Sequence, residues 1–99
     1  MEELIQIAIA ERRFVQFRYG AHPRVGEPHV FGIFRGTKQL LVFQTGGGSN
    51  SGKLPEWRRF DVSKILEFEL LNKRFNGGRP APSGKHASWD LQIAFVPQS

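Results

Sequence analysis

Residues 29–45 read His-Val-Phe-Gly-Ile-Phe-Arg-Gly-Thr-Lys-Gln-Leu-Leu-Val-Phe-Gln-Thr. His29 to Phe34 forms one apolar run, Arg35-Gly36-Thr37-Lys38 is a tight-turn sequence, and Gln39 to Thr45 returns as a second run, which together predict a β-hairpin. The hairpin makes the chain an antiparallel β protein, and the flanking segments extend it. Upstream, Val15, Phe17 and Tyr19 alternate with Gln16 and Arg18 before the turn residue Gly20, the period-two pattern of a strand with two unlike faces. Downstream, Trp57 to Val62 reads as a fourth strand and Ile65 to Leu71 as a fifth. In the fifth, Leu66, Phe68 and Leu70 alternate with Glu67 and Glu69, so one face is expected to be buried and the other wet.

The N-terminal segment has a different period. Leu4, Ile5, Ala8 and Ile9 are spaced to line one face of a helix over Glu2 to Arg13, with acids in its first turn and arginines in its last, as the helix dipole favours. Ile7 lies off that face, so the helix is expected to be buried on more than one side. Gly46 to Pro55 is rich in Gly, Ser and Asn and predicts a long connection. Asn76 to Ser88 has the composition of a linker. Beyond it Leu91, Ile93 and Phe95 alternate again, as an added edge strand that pairs within this chain or across a dimer. One helix followed by short strands lacks the crossover helices of a parallel sheet, leaving a small, strongly bent antiparallel barrel with the helix over one open end. Residues 1–75 carry this domain, and 76–99 the linker and edge strand.

Ninety-nine residues suit one domain, and with 39% hydrophobic residues, nine Phe and two Trp there is material for a core. Cysteine is absent, which excludes disulfides, thiolate metal sites and cysteine nucleophiles. No stretch approaches the roughly 20 apolar residues of a membrane span, and the N-terminus opens with acids, unlike a signal peptide. A soluble, cytoplasmic protein is expected. Fourteen Lys and Arg against nine Asp and Glu leave a net charge of +5, which favours phosphate-bearing partners through long-range attraction and counterion release.

In order and spacing, a set of these elements resembles the WYL domain of bacterial regulators. They are Ala8-Ile9, the strand Val15-Gln16-Phe17-Arg18-Tyr19, Arg24-Val25 with Glu27-Pro28-His29, Leu40-Leu41-Val42-Phe43, and Arg58-Arg59-Phe60 with Ile65, covering about Leu4 to Leu71. The family's eponymous tripeptide falls at Gln39-Leu40-Leu41, without its two aromatics, and the Asp-Arg pair before the final Ile is Ser63-Lys64. The resemblance implies a five-stranded Sm-like or SH3-like barrel that senses a ligand, often single-stranded nucleic acid or a nucleotide, within transcriptional or defence regulators. Such regulators usually carry a separate helix-turn-helix domain, so a lone domain of this kind is expected to act by joining another protein or to sense without an attached effector.

The candidate ligand residues are the basic and aromatic pairs: Arg18 with Tyr19, Arg24 with His29, Arg58 and Arg59 with Phe60, and Lys64. Arginine binds phosphate bidentately, and exposed rings stack on bases. Against this, strand alternation assigns Tyr19 to the core with Val15 and Phe17. Arg24 and Arg58 match the family's basic positions and are expected to share an anionic site without filling the core. Three other patterns carry less. Gly47 to Lys53 has the spacing of a phosphate loop but is followed by Leu54-Pro55 where that motif needs a hydroxyl residue and a helix. His22, His29 and His86 are too scattered for a metal motif, and Glu67 with Glu69 reads as the wet side of a strand. No catalytic group, metal or cofactor is expected. A second function remains open: a protein-interaction module forming a homodimer, or docking a regulator protein, through the edge strand at Leu91 to Val96.

Overall fold

A computed structural model describes residues 1–48, 53–79 and 88–97. The chain is mainly β with one N-terminal helix, and its six antiparallel strands form a small barrel-like sheet that hydrogen bonds do not close. Helix α1 spans Glu2–Glu11, and the strands are β1 Arg13–Tyr19, β2 His22–Phe34, β3 Thr37–Gly47, β4 Glu56–Asp61, β5 Leu66–Arg74 and β6 Leu91–Phe95. They lie in the order β4-β3-β2-β1-β5, with β6 paired to β2.

The helix ends two residues earlier than its pattern suggests. Arg12 adopts a left-handed conformation at φ 54° and its carbonyl accepts the backbone N–H of Phe75, so Arg12 and Arg13 lie beyond the last helical turn. Ile5, Ala8 and Ile9 are buried, whereas Leu4 and Ile7 are exposed. The helix is therefore covered on one side only, contrary to the expectation drawn from Ile7.

The central hairpin turns on two residues, with Phe34 paired to Thr37 and both Arg35 and Gly36 at positive φ. This geometry matches the right-handed twist of the flanking strands. β2 begins at His22, seven residues before the predicted start, and continues through Pro23, Gly26 and Pro28. Pro28 has no N–H for the ladder, and the register shifts between Pro28 and Val30, bending the strand. Its first half then pairs with β1 and its second half with β6. Gly26 is required by close approach, because a Cβ there would run into the Phe43 carbonyl and the Gln44 backbone.

Phe17, Phe31, Leu40, Val42, Phe60 and Ile65 fill the interior beneath the buried face of α1. In β5 the alternation breaks. Glu67 takes φ 54° and the pairing with β1 shifts between Gln16 and Arg18, leaving Leu66 exposed while Phe68 and Leu70 remain half-buried. The last strand pairs within the chain, its ends fixed by Asp90 N–H to the Ile33 carbonyl and Val96 N–H to the His29 carbonyl. Residues 80–87, which include His86, and 49–52 of the glycine-rich connection lie outside the described residues.

Candidate anion-binding site

The β1–β2 turn and β4 face each other across a cleft of about 320 Å³, lined by Tyr19, Gly20, Ala21, His22, Arg24, Arg58, Arg59 and Phe60. The walls are joined where the Tyr19 and Phe60 rings meet edge to face at 4.8 Å and where the Tyr19 hydroxyl accepts the Asp61 N–H at 3.1 Å. That hydroxyl is half-used, since its proton has no acceptor among the described residues.

Arg24 forms the floor. Although not expected to fill the core, it is 5% exposed, with its guanidinium carbon 5.5 Å from the Phe60 centroid and 5.8 Å from that of Tyr19. Its acceptors are neutral and distant: Gln44 Oε1 at 3.3 Å and the Tyr19 carbonyl at 3.5 Å. Its Nε is buried and has no acceptor, and among the described residues no carboxylate pairs with it. Burial pushes this guanidinium below its ordinary range, and the neighbouring Arg58 pushes the same way. A buried charge normally demands a counter-charge, and here the charged neighbour that acts on it, Arg58, has the same sign. Gln44, which holds Arg24, also donates to the carbonyls of Gly46 and Gly48, so the end of β3 supports the floor.

Arg58 lies on the same face of β4 as Phe60 and pairs with Glu56 at 2.7 Å. Arg24 and Arg58 thus line one cleft although 34 positions separate them. Arg59 also borders the cleft, but its guanidinium is held on the other side of the strand. Its guanidinium lies over the Phe34 and Trp89 rings and donates to Gln39 Oε1 and the Ser88 carbonyl, fastening the approach to β6. Burial holds it below its usual range. Phe60 is 2% exposed and wedged between Phe17 and Tyr19, so it offers no platform for a base.

The remaining predicted residues lie elsewhere. Arg18 is on the solvent face of β1 against Glu67 at 3.5 Å, beside a small depression shared with Gln16, Pro23 and Glu69. Lys64 is exposed and 3.6 Å from Asp61. His29 belongs to a separate buried cluster, accepting the Arg79 N–H at Nε2 and meeting the Glu27 carbonyl at Nδ1, which fixes a neutral ring with its proton on Nδ1. Burial lowers its pKa, outweighing the raising pull of the Glu27 hydrogen bond and carboxylate, and the Arg79 charge also lowers it. Beside it, Glu27 is buried and takes two 2.8 Å hydrogen bonds from Arg79, whose guanidinium lies 4.1 Å from the Phe43 ring centre. The start of the predicted linker is therefore bonded to the barrel.

Sequence reasoning missed His22 as a cleft residue and the Glu27–Arg79 pair altogether. His22 follows the Gly20-Ala21 turn and so shares the cleft rim with Tyr19, a position that the turn signal could have revealed. At the apparent phosphate loop, β3 runs through Gly47 and strand β4, not a helix, follows Lys53. Among the described residues no group of three His, Cys, Asp or Glu could hold a metal ion, and no helix is long and apolar enough to cross a membrane. Comparison with protein-family models, with curated proteins and with solved structures returns no match.

Proposed function

We propose that this chain is a ligand-binding module whose cleft between the β1–β2 turn and β4 takes an anionic group, with single-stranded nucleic acid or a nucleotide-like molecule as the ligand class. The observation that carries this reading is Arg24: a buried guanidinium, without a carboxylate partner among the described residues, beside a second arginine and a hydroxyl with a proton to donate. A phosphate supplies what the site lacks, namely negative charge and several acceptor oxygens. The chain's net charge of +5 draws such ligands in. The resemblance to WYL domains points to the same ligand class, and to a sensing role in a regulator.

The geometry favours reading of the phosphate over the base. Phe60 is sealed in the core, and Tyr19 is half-buried and already tied to Asp61, so stacking has little free ring surface. Binding is expected to tolerate sequence and to depend strongly on salt. The test is binding of a fluorescently labelled oligonucleotide by anisotropy at low and high salt, with Arg58→Ala as the variant. Loss of one charge-assisted contact should cost about 1.5–3 kcal/mol, roughly 10- to 150-fold in affinity. Binding that ignores both salt and this substitution defeats the proposal.

A further inference from the structure

Nucleic acids and nucleotides carry two kinds of phosphate. Within a strand each is a diester, with one negative charge, two free oxygens and a nucleotide on either side. At a phosphorylated end, or on a free nucleotide, it is a monoester with about 1.5–2 negative charges at pH 7 and three free oxygens. Proteins that track a strand by its diesters provide a basic groove of roughly 4–16 nucleotides with exposed rings for the bases. The cleft beside Arg24 is built differently. Its volume of about 320 Å³ is at the lower end of the roughly 300–1,000 Å³ of small-ligand pockets. Phe60 is sealed and Tyr19 is half-buried, so little ring surface is open to a base. On the solvent face of the same β1–β2 hairpin, the depression beside Arg18 is lined by Glu67 and Glu69, which repel a phosphate backbone.

Three of the residues lining the cleft are arginines and none is Asp or Glu. Glu56, outside it, offsets Arg58 at 2.7 Å, whereas the buried Arg24 has no carboxylate partner among the described residues. Because Arg24 is 5% exposed, a group that touches it has to enter the cleft and not merely lie across its mouth. An internal diester enters only if the sugars on both its sides come with it. A terminal phosphate enters alone. We propose, on the reading of the cleft as an anion site, that it takes a phosphate monoester, the phosphorylated end of a strand or a free nucleotide, in preference to a diester within a strand. The Arg24 and Arg58 guanidiniums and the Tyr19 hydroxyl proton then meet three free oxygens, and the second negative charge offsets a second guanidinium. Such a site reads where a strand ends, or that a nucleotide is free, whatever the base.

The experiment is anisotropy titration of the whole chain with one thymidine oligonucleotide, labelled at its far end, whose near end carries a hydroxyl, a phosphate or a phosphate methyl ester, made in versions for either end of the strand. At one end or both, the phosphorylated strand should bind at least about tenfold more tightly than the hydroxyl strand, the strength of one charge-assisted contact. The methyl ester restores a diester and should lose most of that gain. Thymidine monophosphate, added as competitor, separates the two sources: displacement of the strand at the same concentration as the phosphorylated oligonucleotide assigns the site to free nucleotides, and a much weaker effect assigns it to strand ends. Arg58→Ala should erase the gain from the phosphate, with melting to confirm the fold, and the comparison of ligands stands without any variant. Equal binding of the three strands, still lost with salt and in Arg58→Ala, overturns the preference for a monoester and leaves the anion cleft standing. A gain that persists in Arg58→Ala overturns it too, because the end is then read elsewhere. No binding of any strand, nor of thymidine monophosphate by calorimetry, defeats the cleft itself.

Discussion

Replacing Arg24 with Met keeps most of the side chain's length and apolar stem while deleting its charge. In the folded protein the substitution removes two long hydrogen bonds, to Gln44 Oε1 at 3.3 Å and to the Tyr19 carbonyl at 3.5 Å. At these lengths each is worth about 0.5 kcal/mol net, and leaving Gln44 Oε1 without its donor costs about 1–3 kcal/mol more. Against that, Arg24 is 5% exposed, feels the like charge of Arg58 and has no carboxylate partner among the described residues. Removing such a charge recovers a desolvation penalty of several kcal/mol. Arg24→Met is therefore expected to leave stability unchanged or to raise it by up to about 2 kcal/mol. For a domain of this size each kcal/mol corresponds to about 4–8 °C in Tm. The same variant should lose oligonucleotide affinity by at least roughly tenfold, the loss of one charge-assisted contact. Thermal melts and anisotropy titrations on one preparation read both quantities. A variant that melts well below wild type yet binds as wild type would refute the reasoning, because Arg24 would then be a structural residue.

Other outcomes follow from the second cluster and the outer charges. Arg79→Ala leaves the buried Glu27 carboxylate uncompensated and should cost about 3 kcal/mol in urea unfolding, whereas Glu27→Leu combined with Arg79→Met should cost less than either single change. His29 has a folded pKa below its unfolded value of about 6.5, so below that pH the unfolded chain binds the extra proton. Its contribution is full above about pH 6.5 and is lost as pH falls, at up to about 1.4 kcal/mol per unit, a slope that His29→Gln should reduce in melts between pH 7 and pH 5. Lys64→Ala and Arg18→Ala should each change oligonucleotide affinity by less than about threefold, as expected of solvated ions outside the cleft.

The fold was legible where period and turn chemistry agreed. The helix at Ile5, Ala8 and Ile9, the strand ending at Tyr19 and the hairpin around Arg35-Gly36 all stand in the structure. The first half of β2 was hidden by Pro23, Gly26 and Pro28, residues that argue against a strand but here admit a bend and a close approach. At Glu67 a left-handed residue throws Leu66 outward, which alternation alone could not show. At the cleft, Arg24 and Arg58 were named from a resemblance, but the burial of Arg24 was not foreseen, since a buried arginine needs a tertiary setting that no local pattern encodes. The opposite directions of Arg58 and Arg59 follow from strand alternation. The Glu27–Arg79 pair spans 52 residues and joins a strand to a stretch that read as linker, so no window of sequence contains it.

The measurement that bears most directly on the anionic cleft is a double-mutant cycle of Arg24→Met and Arg58→Met, read by oligonucleotide binding at one fixed salt concentration. Two guanidiniums that share a ligand group are coupled, so the combined loss should differ from the sum of the single losses by about 0.5–3 kcal/mol. Additive losses, no larger than those of Arg18→Ala and Lys64→Ala, would mean that the charge acts diffusely and that the cleft holds no anion.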